Sequence, residues 1–171
     1  GVLFNKMQTK LLACPGAREG AYAVPGSVTS IETGAFHGCA RLTSLTIPRN
    51  VTAIRAGAFG GCTGLTSVAL PERLTKIEAG LFEGCVNLTS VAIPTTVTLV
   101  GSGAFRACTG LTAITIPNAV TKIEDGAFED CAGLAGVTLG TKVASIGSSA
   151  FARCTSLTAI TIPNAVTKIG D

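Results

Sequence analysis

Apolar and polar residues alternate in short segments that recur along the whole chain. In the segment LTSLTIP, residues 42–48, the apolar Leu45 and Ile47 are separated by polar positions. Because successive side chains of a β-strand point to opposite faces, this alternation predicts a strand with one buried face. The predicted strand ends at Pro48, since proline cannot donate a hydrogen bond to a neighbouring strand.

Two further segments complete the pattern before it starts again. Val51 and Ile54 predict a second short extended segment, with both side chains facing inward. In residues 56–62, an alanine, Phe59 and Cys62 have the spacing of a single helical or 3₁₀ turn. The apolar side of this turn is expected to pack against the first strand.

Phenylalanine marks the period of the pattern, because it recurs every 23 residues. The six positions are Phe36, Phe59, Phe82, Phe105, Phe128 and Phe151. Cysteine follows three residues later each time, at Cys39, Cys62, Cys85, Cys108, Cys131 and Cys154. Leucine stands three residues further on, at Leu42, Leu65, Leu88, Leu111, Leu134 and Leu157. This self-similarity identifies the chain as an array of repeats.

A unit of 23 residues cannot close a hydrophobic core alone, so neighbouring repeats must stack. Stacking pairs the strands about 4.8 Å apart in a parallel sheet. The expected fold is a right-handed, β-rich solenoid with a parallel sheet and short helical or 3₁₀ turns in each repeat. Its core is a set of ladders in which each apolar residue lies on its equivalent in the next repeat.

The spacing L-x-x-L-x-[IL]-P-x-x-[VL]-x-x-[IV]-x-x-x-A-F-x-x-C-x-x-L, found at residues 65–88 and 111–134, resembles the BspA-like class of leucine-rich repeats. The resemblance covers residues 22–171 and implies a leucine-rich-repeat solenoid. It also implies, as most often in this family, a surface or secreted protein that adheres to cells or matrix. The sequence departs from the family pattern at Gly140, which replaces the proline, and in lacking the asparagine ladder of ordinary leucine-rich repeats.

Two regions are predicted along the chain. Residues 1–21 look like the irregular first repeat of such proteins, with a short hairpin that pairs residues 2–4 with residues 11–14. Residues 22–171 hold an array of six or more repeats that stops in mid-repeat. Because an open end would expose apolar ladders and an unpaired sheet edge, we expect the array to be truncated at its C-terminal end.

Composition narrows the classes of function. With 47% hydrophobic and 13% charged residues, the chain has enough apolar material for one sizeable core. No apolar stretch reaches the ~18 to 20 residues that span a bilayer, so no membrane-spanning segment is expected. The net charge of +3 comes without a tight run of lysines or arginines, so nucleic acid is not an expected partner.

The seven cysteines leave two interpretations open. Neighbouring members of a stacked ladder could come within bonding range and form disulfides. Because all six repeat cysteines share one inward register, where cysteine behaves as a small hydrophobe, we favour free buried thiols. Zinc is not expected, since a linear stack cannot converge four ligands. Cys14 lies outside the register and is the candidate for an exposed or paired thiol.

The sequence offers little material for catalysis. Its one histidine, His37, occupies a position that varies between repeats and is expected to be exposed. A nucleophile and base need a partnered histidine or a perturbed carboxylate in a pocket, so neither an enzyme nor a cofactor is expected. An acidic group could in principle hold calcium, but it lacks the alternation of a calcium loop, so we interpret it as a solvated surface. Its members are Glu124, Asp125, Glu129 and Asp130.

Candidate binding residues fall in two sets. Basic residues of the loop edge are Arg49, Arg55, Arg73, Lys76, Lys122, Lys142 and Lys168. Small hydroxyl residues on the outward face of the main strand are Ser44, Thr46, Ser67, Ser90 and Thr115. The sheet face has no Trp, Tyr or Arg anchor for a high-affinity hot spot, so the loop edge is the stronger candidate, although its charges serve solubility equally well.

Two functional hypotheses remain. The first is a non-catalytic protein-interaction module of a surface or secreted adhesion protein. The second is an intracellular scaffold or accessory subunit of a larger assembly. Asn50 and Asn87 stand in N-glycosylation triplets, which favour the first hypothesis weakly because such triplets are common in a threonine-rich chain.

Overall fold

A computed structural model describes all residues, 1–171, and shows how one repeat is built. In the repeat that begins at Leu65, the first strand buries Val68 between two exposed neighbours. A turn at Pro71, closed by the bond from the Leu74 amide to the Pro71 carbonyl, reverses the chain. A second strand of two residues then buries Ile77. Each repeat therefore contributes two short strands that face one core.

The regular elements of the chain are fifteen strands. In chain order they are β1 (Leu3–Phe4), β2 (Lys10–Ala13), β3 (Gly20–Ala23), β4 (Ser30–Ile31), β5 (Leu42–Thr46), β6 (Ala53–Ile54), β7 (Ser67–Ala69), β8 (Lys76–Ile77), β9 (Ser90–Ala92), β10 (Leu99–Val100), β11 (Ala113–Thr115), β12 (Lys122–Ile123), β13 (Gly136–Thr138), β14 (Ser145–Ile146) and β15 (Lys168–Ile169).

The strands form two parallel stacks, one for each strand of the repeat. We call the stack that runs from β3 to β13 the first sheet and the stack that runs from β2 to β15 the second sheet. Pairing in the array joins residues 23 positions apart, such as Val68 with Val91. Hydrogen-bonded pairing is interrupted once in each stack, between β9 and β11 and between β6 and β8. The expected leucine-rich-repeat solenoid with parallel strands is confirmed.

The N-terminal end differs from the rest of the array, because β1 and β2 pair in an antiparallel hairpin. Leu3 lies opposite Ala13, and Phe4 lies opposite Leu11. β2 then pairs in parallel with β4, so the hairpin lies at the first edge of the second sheet. The hairpin contributes Leu11, which is fully buried, to the core.

The expected helical or 3₁₀ turn around each phenylalanine is wrong, because this segment is a run of tight turns. In the second repeat, Gly57 and Gly61 adopt φ angles of 62° and 68°, in the left-handed region. A helix cannot continue through such residues, which is why glycine is suited to these positions. The amides of Gly57 and Phe59 instead donate to the next repeat, to the carbonyls of Ala79 and Leu81.

The phenylalanine rings form a continuous stack through the core. Ring centroids lie 5.7 Å apart between Phe36 and Phe59 and 5.1 Å apart between Phe105 and Phe128. The interplanar angle falls from 38° to 4° over the same pairs, so the rings become parallel towards the C-terminal end. Tyr22 lies 5.8 Å from Phe36 and extends the stack at its N-terminal end.

The cysteines of the ladder form hydrogen bonds between repeats in addition to packing in the core. The thiol of Cys62 donates to the carbonyl oxygen of Phe36 at 3.1 Å, and Cys131 donates to Phe105 at 3.0 Å. Each of these carbonyls also accepts the backbone amide of the cysteine in its own repeat. A buried carbonyl can accept two hydrogen bonds, so the thiol joins one repeat to the next.

An asparagine and a threonine join neighbouring repeats from the turn between the two sheets. Asn50 donates its amide hydrogens to the carbonyls of Gly26 and Val28, at 3.0 and 2.9 Å. At the equivalent position two repeats later, the Thr96 hydroxyl lies 2.8 and 2.5 Å from the carbonyls of Glu72 and Leu74. The chain thus retains part of the bridging role of an asparagine ladder at isolated positions.

Replacing Asn50 with alanine is expected to lower the free energy of unfolding by about 1 to 2 kcal/mol, because two backbone carbonyls lose their donor. Urea denaturation monitored by circular dichroism measures the loss. Asn87→Ala is the matched control, since Asn87 is exposed and makes one such bond, to the Thr63 carbonyl at 2.8 Å. Equal losses in the two variants would contradict the bridging role of Asn50.

Candidate interaction surface

The outward face of the first sheet is lined by small side chains in register. Ser44 pairs with Ser67, and Ser67 pairs with Ser90, so these three hydroxyls form one row across neighbouring strands. The predicted residues Thr46 and Thr115 lie on the same face and are also exposed. The structure therefore brings the whole predicted hydroxyl set onto one surface.

A groove opens on this face where β9 and β11 are not joined by hydrogen bonds. Its volume is about 500 Å³. Val91, Ile93 and Ile114 contribute apolar atoms to its lining, while Ser90 and Thr115 contribute hydroxyl groups. A concave surface of apolar side chains with a few polar groups is typical of a site that accepts side chains of a binding partner. The sequence analysis named Ser90 and Thr115 but did not predict the groove.

The predicted basic residues separate into two groups. Lys76, Lys122 and Lys168 occupy alternate positions of one row on the second sheet, with Leu99 and Ser145 between them. Alternate positions in a parallel sheet are roughly 10 Å apart. The other group lies in the turns that lead to the second sheet or directly after it: Arg49, Arg55, Arg73 and Lys142.

The three lysines of the row differ in their ionic partners. The ammonium group of Lys122 lies 2.9 Å from the Glu124 carboxylate, and this hydrogen bond raises the pKa of Lys122 and lowers that of Glu124. Lys76 and Lys168 are exposed and form no ion pair. These two lysines are consequently free to meet acidic groups of a partner.

Two members of the acidic group, Glu129 and Asp130, form ion pairs with arginines of neighbouring repeats. Arg153 binds both Asp130 and Glu129, with 2.6 Å between its Nη2 and the Glu129 carboxylate, and Arg106 lies 3.3 Å from Glu129. The Arg153 guanidinium holds the pKa of Asp130 below its ordinary value. The sequence analysis missed both arginines, although the 23-residue period places Arg153 beside Asp130.

The thiols of the ladder are buried and protonated. Burial raises the pKa of Cys85 and Cys131 to about 12, and raises the pKa of Cys62 and Cys108 as well. A thiol with a raised pKa is a poor nucleophile, because the thiolate is the reactive form. Cys14 is buried too, so of the two alternatives for this residue, an exposed or a paired thiol, the exposed one is excluded. His37, by contrast, is exposed on the turn beside Gly60.

The two asparagines of the glycosylation triplets both use their side-chain nitrogen in hydrogen bonds. Asn50 is half-buried and binds two carbonyls, whereas Asn87 is exposed and binds one. A glycan on Asn50 would have to replace one of its two bonds. Asn87 is therefore the more accessible acceptor of the two.

Comparison with protein families gives one match. The sequence model of the BspA type leucine rich repeat region matches in six copies, over residues 22–131 and 75–171. No curated protein matches the sequence significantly. The structure has no helix with the length and apolarity needed to cross a membrane.

Solved structures of bacterial leucine-rich repeat proteins resemble this chain. One from Eubacterium ventriosum has a TM-score of 0.88 and 30% identity, and the match covers 99% of this chain and 46% of that protein. The T. pallidum leucine-rich repeat protein has a TM-score of 0.77 and 31% identity, over 87% of this chain and 71% of that one. A leucine-rich cell surface protein from Faecalibacterium prausnitzii has a TM-score of 0.74 and 37% identity, over 76% of this chain and 35% of that protein. This chain thus spans about half the length of the first of these proteins.

Proposed function

The chain belongs to the family of BspA-type leucine-rich repeat proteins, and we propose that it is a non-catalytic protein-interaction module of a surface or secreted adhesion protein. The observation that carries the proposal is the groove between β9 and β11. The rest of this sheet face is lined by small, exposed side chains. The cell surface protein from Faecalibacterium prausnitzii, at 37% identity, supports the proposed location.

The groove favours an extended segment of a partner protein. Val91 and Ile93 line the groove and are each 8% exposed, so each offers only a small apolar contact. The hydroxyls of Ser90 and Thr115 are exposed beside these apolar atoms and can hydrogen-bond a partner's main chain. A segment that places one or two apolar side chains in the groove would satisfy both features.

The Lys76 and Lys168 ammonium groups on the second sheet support a second contact with acidic groups. Exposed charges of this kind raise association rates more than they raise affinity, and their effect falls with salt. We therefore assign specificity to the groove and the ionic contribution to the lysine row.

Site-specific cross-linking tests the groove as the contact surface. A photo-reactive amino acid replaces Ala113, which lines the groove, in the full-length protein expressed in its source cells. The matched control is Ala159, which is exposed at the equivalent position two repeats later and does not line the groove. We expect one discrete protein adduct from position 113, and about tenfold less from position 159.

A further substitution separates binding from cross-linking chemistry. Ala113→Arg fills the groove with a charged side chain and should reduce binding of the cross-linked partner at least about tenfold, since apolar contacts would be lost. Ala159→Arg should leave binding unchanged. Equal adducts from both positions, or undiminished binding by Ala113→Arg, would contradict the proposed contact surface.

A further inference from the structure

The cysteine ladder changes its hydrogen bonding at its N-terminal end. Five thiols each donate to a phenylalanine carbonyl at 3.0 to 3.1 Å: Cys62, Cys85, Cys108, Cys131 and Cys154. Cys39 has no such partner, and its sulfur instead lies 3.8 Å from the Cys14 carbonyl and 3.6 Å from the Pro15 carbonyl. Its side chain is therefore directed at the segment that carries Cys14.

Cys39 is the one ladder cysteine whose sulfur contacts the main-chain carbonyl of another cysteine, Cys14. The sulfurs of the other five ladder cysteines contact a phenylalanine carbonyl instead. The Cys14 amide also donates to the Ala35 carbonyl at 2.6 Å, which holds this segment against the turn that carries Cys39. Both residues are buried, with 8% and 0% of their surface exposed.

We propose that Cys14 and Cys39 form an intramolecular disulfide that fastens the N-terminal hairpin to the first full repeat. The other five thiols stay reduced, because each is held by a phenylalanine carbonyl at 3.0 to 3.1 Å, a shorter contact than either of those made by Cys39. The inference is independent of the proposed function, since it concerns the chemistry of two side chains and not the partner.

Oxidation requires a small disulfide such as oxidised glutathione. One cysteine thiolate attacks the glutathione disulfide, which forms a mixed disulfide and releases one glutathione thiolate. The second cysteine thiolate then attacks the mixed disulfide at the protein sulfur, forms the bond between the two cysteines and releases the second glutathione. The protein loses two protons and two electrons, and one glutathione disulfide becomes two glutathione thiols.

The order of folding and oxidation follows from burial. In the folded protein, burial raises the pKa of both thiols, so their thiolate forms are scarce. In the unfolded chain both thiols have ordinary pKa values and react readily. The disulfide therefore forms while the chain folds in a glutathione redox buffer. Thiol–disulfide exchange in this buffer rearranges other pairings, and the pair that lies together in the folded protein, Cys14 with Cys39, accumulates.

The disulfide would stabilise the part of the solenoid that carries the antiparallel hairpin. The hairpin exposes 58% of Leu3 and 78% of Met7, so it makes fewer core contacts than an internal repeat. The cross-link joins residues 25 positions apart, which restricts the unfolded chain. We expect oxidation to raise the Tm by about 5 to 10 °C.

Peptide mapping tests the pairing directly. The full chain is refolded in a buffer of oxidised and reduced glutathione, alkylated without reduction and digested with trypsin. Cleavage after Lys10, Arg18 and Arg41 separates residues 11–18 from residues 19–41, so each cysteine lies on its own peptide. We expect one linked species of these two peptides and five alkylated thiols. Seven alkylated thiols, or linkage among the other cysteines, would overturn the proposal.

Thermal unfolding with and without a reducing agent provides the matched control. Cys154 lies at the opposite end of the ladder and is 8% exposed, as Cys14 is. The wild type and Cys154→Ser should each lose about 5 to 10 °C in Tm on reduction, whereas Cys14→Ser should show no dependence on the reducing agent. A wild-type Tm that does not change on reduction, or loss of the dependence in Cys154→Ser, would contradict the proposal.

Discussion

Replacement of Phe105 by alanine is expected to lower the free energy of unfolding by about 3 to 5 kcal/mol. Its ring is fully buried and lies 5.3 Å from the ring of Phe82 and 5.1 Å from that of Phe128. Removing it leaves a cavity and breaks the stack at its middle. Because each repeat of a solenoid contacts only its neighbours, the two halves of the array would also lose cooperativity.

Urea denaturation measures this effect, with Phe151→Ala as the matched control. Phe151 has a ring neighbour on one side and is half-buried, so its loss should cost less than half as much. The Phe105→Ala transition should also broaden, since two partly independent segments unfold in place of one. Equal destabilisation by the two substitutions would contradict a stack that couples the repeats.

Raising the pH from 9 to 10 is expected to remove about 4 kcal/mol of stability through the four central thiols, which is about 1 kcal/mol for each. Cys62, Cys85, Cys108 and Cys131 have an ordinary pKa of 9.0 in the unfolded chain and a pKa of about 12 or higher when folded. Above pH 9 the unfolded chain ionises while the folded protein keeps its protons. The stabilisation is therefore complete below pH 9 and is lost as the pH rises towards the folded value.

Chemical denaturation at several pH values between 8 and 10.5, under reducing conditions, tests this dependence. Cys85→Ala should reduce the loss per pH unit by about a quarter, and Cys85→Ala combined with Cys131→Ala by about half, since each removes one titrating thiol. The informative quantity is the change in the free energy of unfolding per pH unit, because each substitution also lowers stability at neutral pH. An unchanged slope in both variants would show that the thiols do not cause the alkaline loss.

The fold could be predicted from the sequence because its apolar residues recur every 23 positions. The spacing of Phe36, Cys39 and Leu42 recurs in every repeat, and stacking is the arrangement that buries all of these side chains. The local turn was predicted less well. The apolar spacing around Phe59 suits a helical turn, but the left-handed conformations of Gly57 and Gly61 stop it.

The candidate surface was only partly predictable. The 23-residue period places the serine row in register, as β5, β7 and β9 show. The groove was not predictable from the strands themselves, because β7 and β9 share the sequence Ser-Val-Ala and yet β9 is not joined to β11.

The hydrogen bonds of the thiols were missed for a different reason. The period correctly placed the ladder cysteines inside the core, where cysteine was taken to be a small hydrophobe. For the five ladder thiols after Cys39, the partner is a main-chain carbonyl 26 residues earlier, such as Phe59 for Cys85. Every residue has a main-chain carbonyl, so the amino-acid sequence does not indicate which carbonyl accepts the bond, and only the structure shows it.

Surface labelling of intact source cells with a membrane-impermeant amine reagent tests the proposed role most directly. Lys76 and Lys168 are exposed and free of ion pairs, so peptides that contain them report access from outside the cell. A surface adhesion module should carry label on both lysines before lysis. Label that appears on these lysines only after lysis would contradict the surface role and favour an intracellular scaffold.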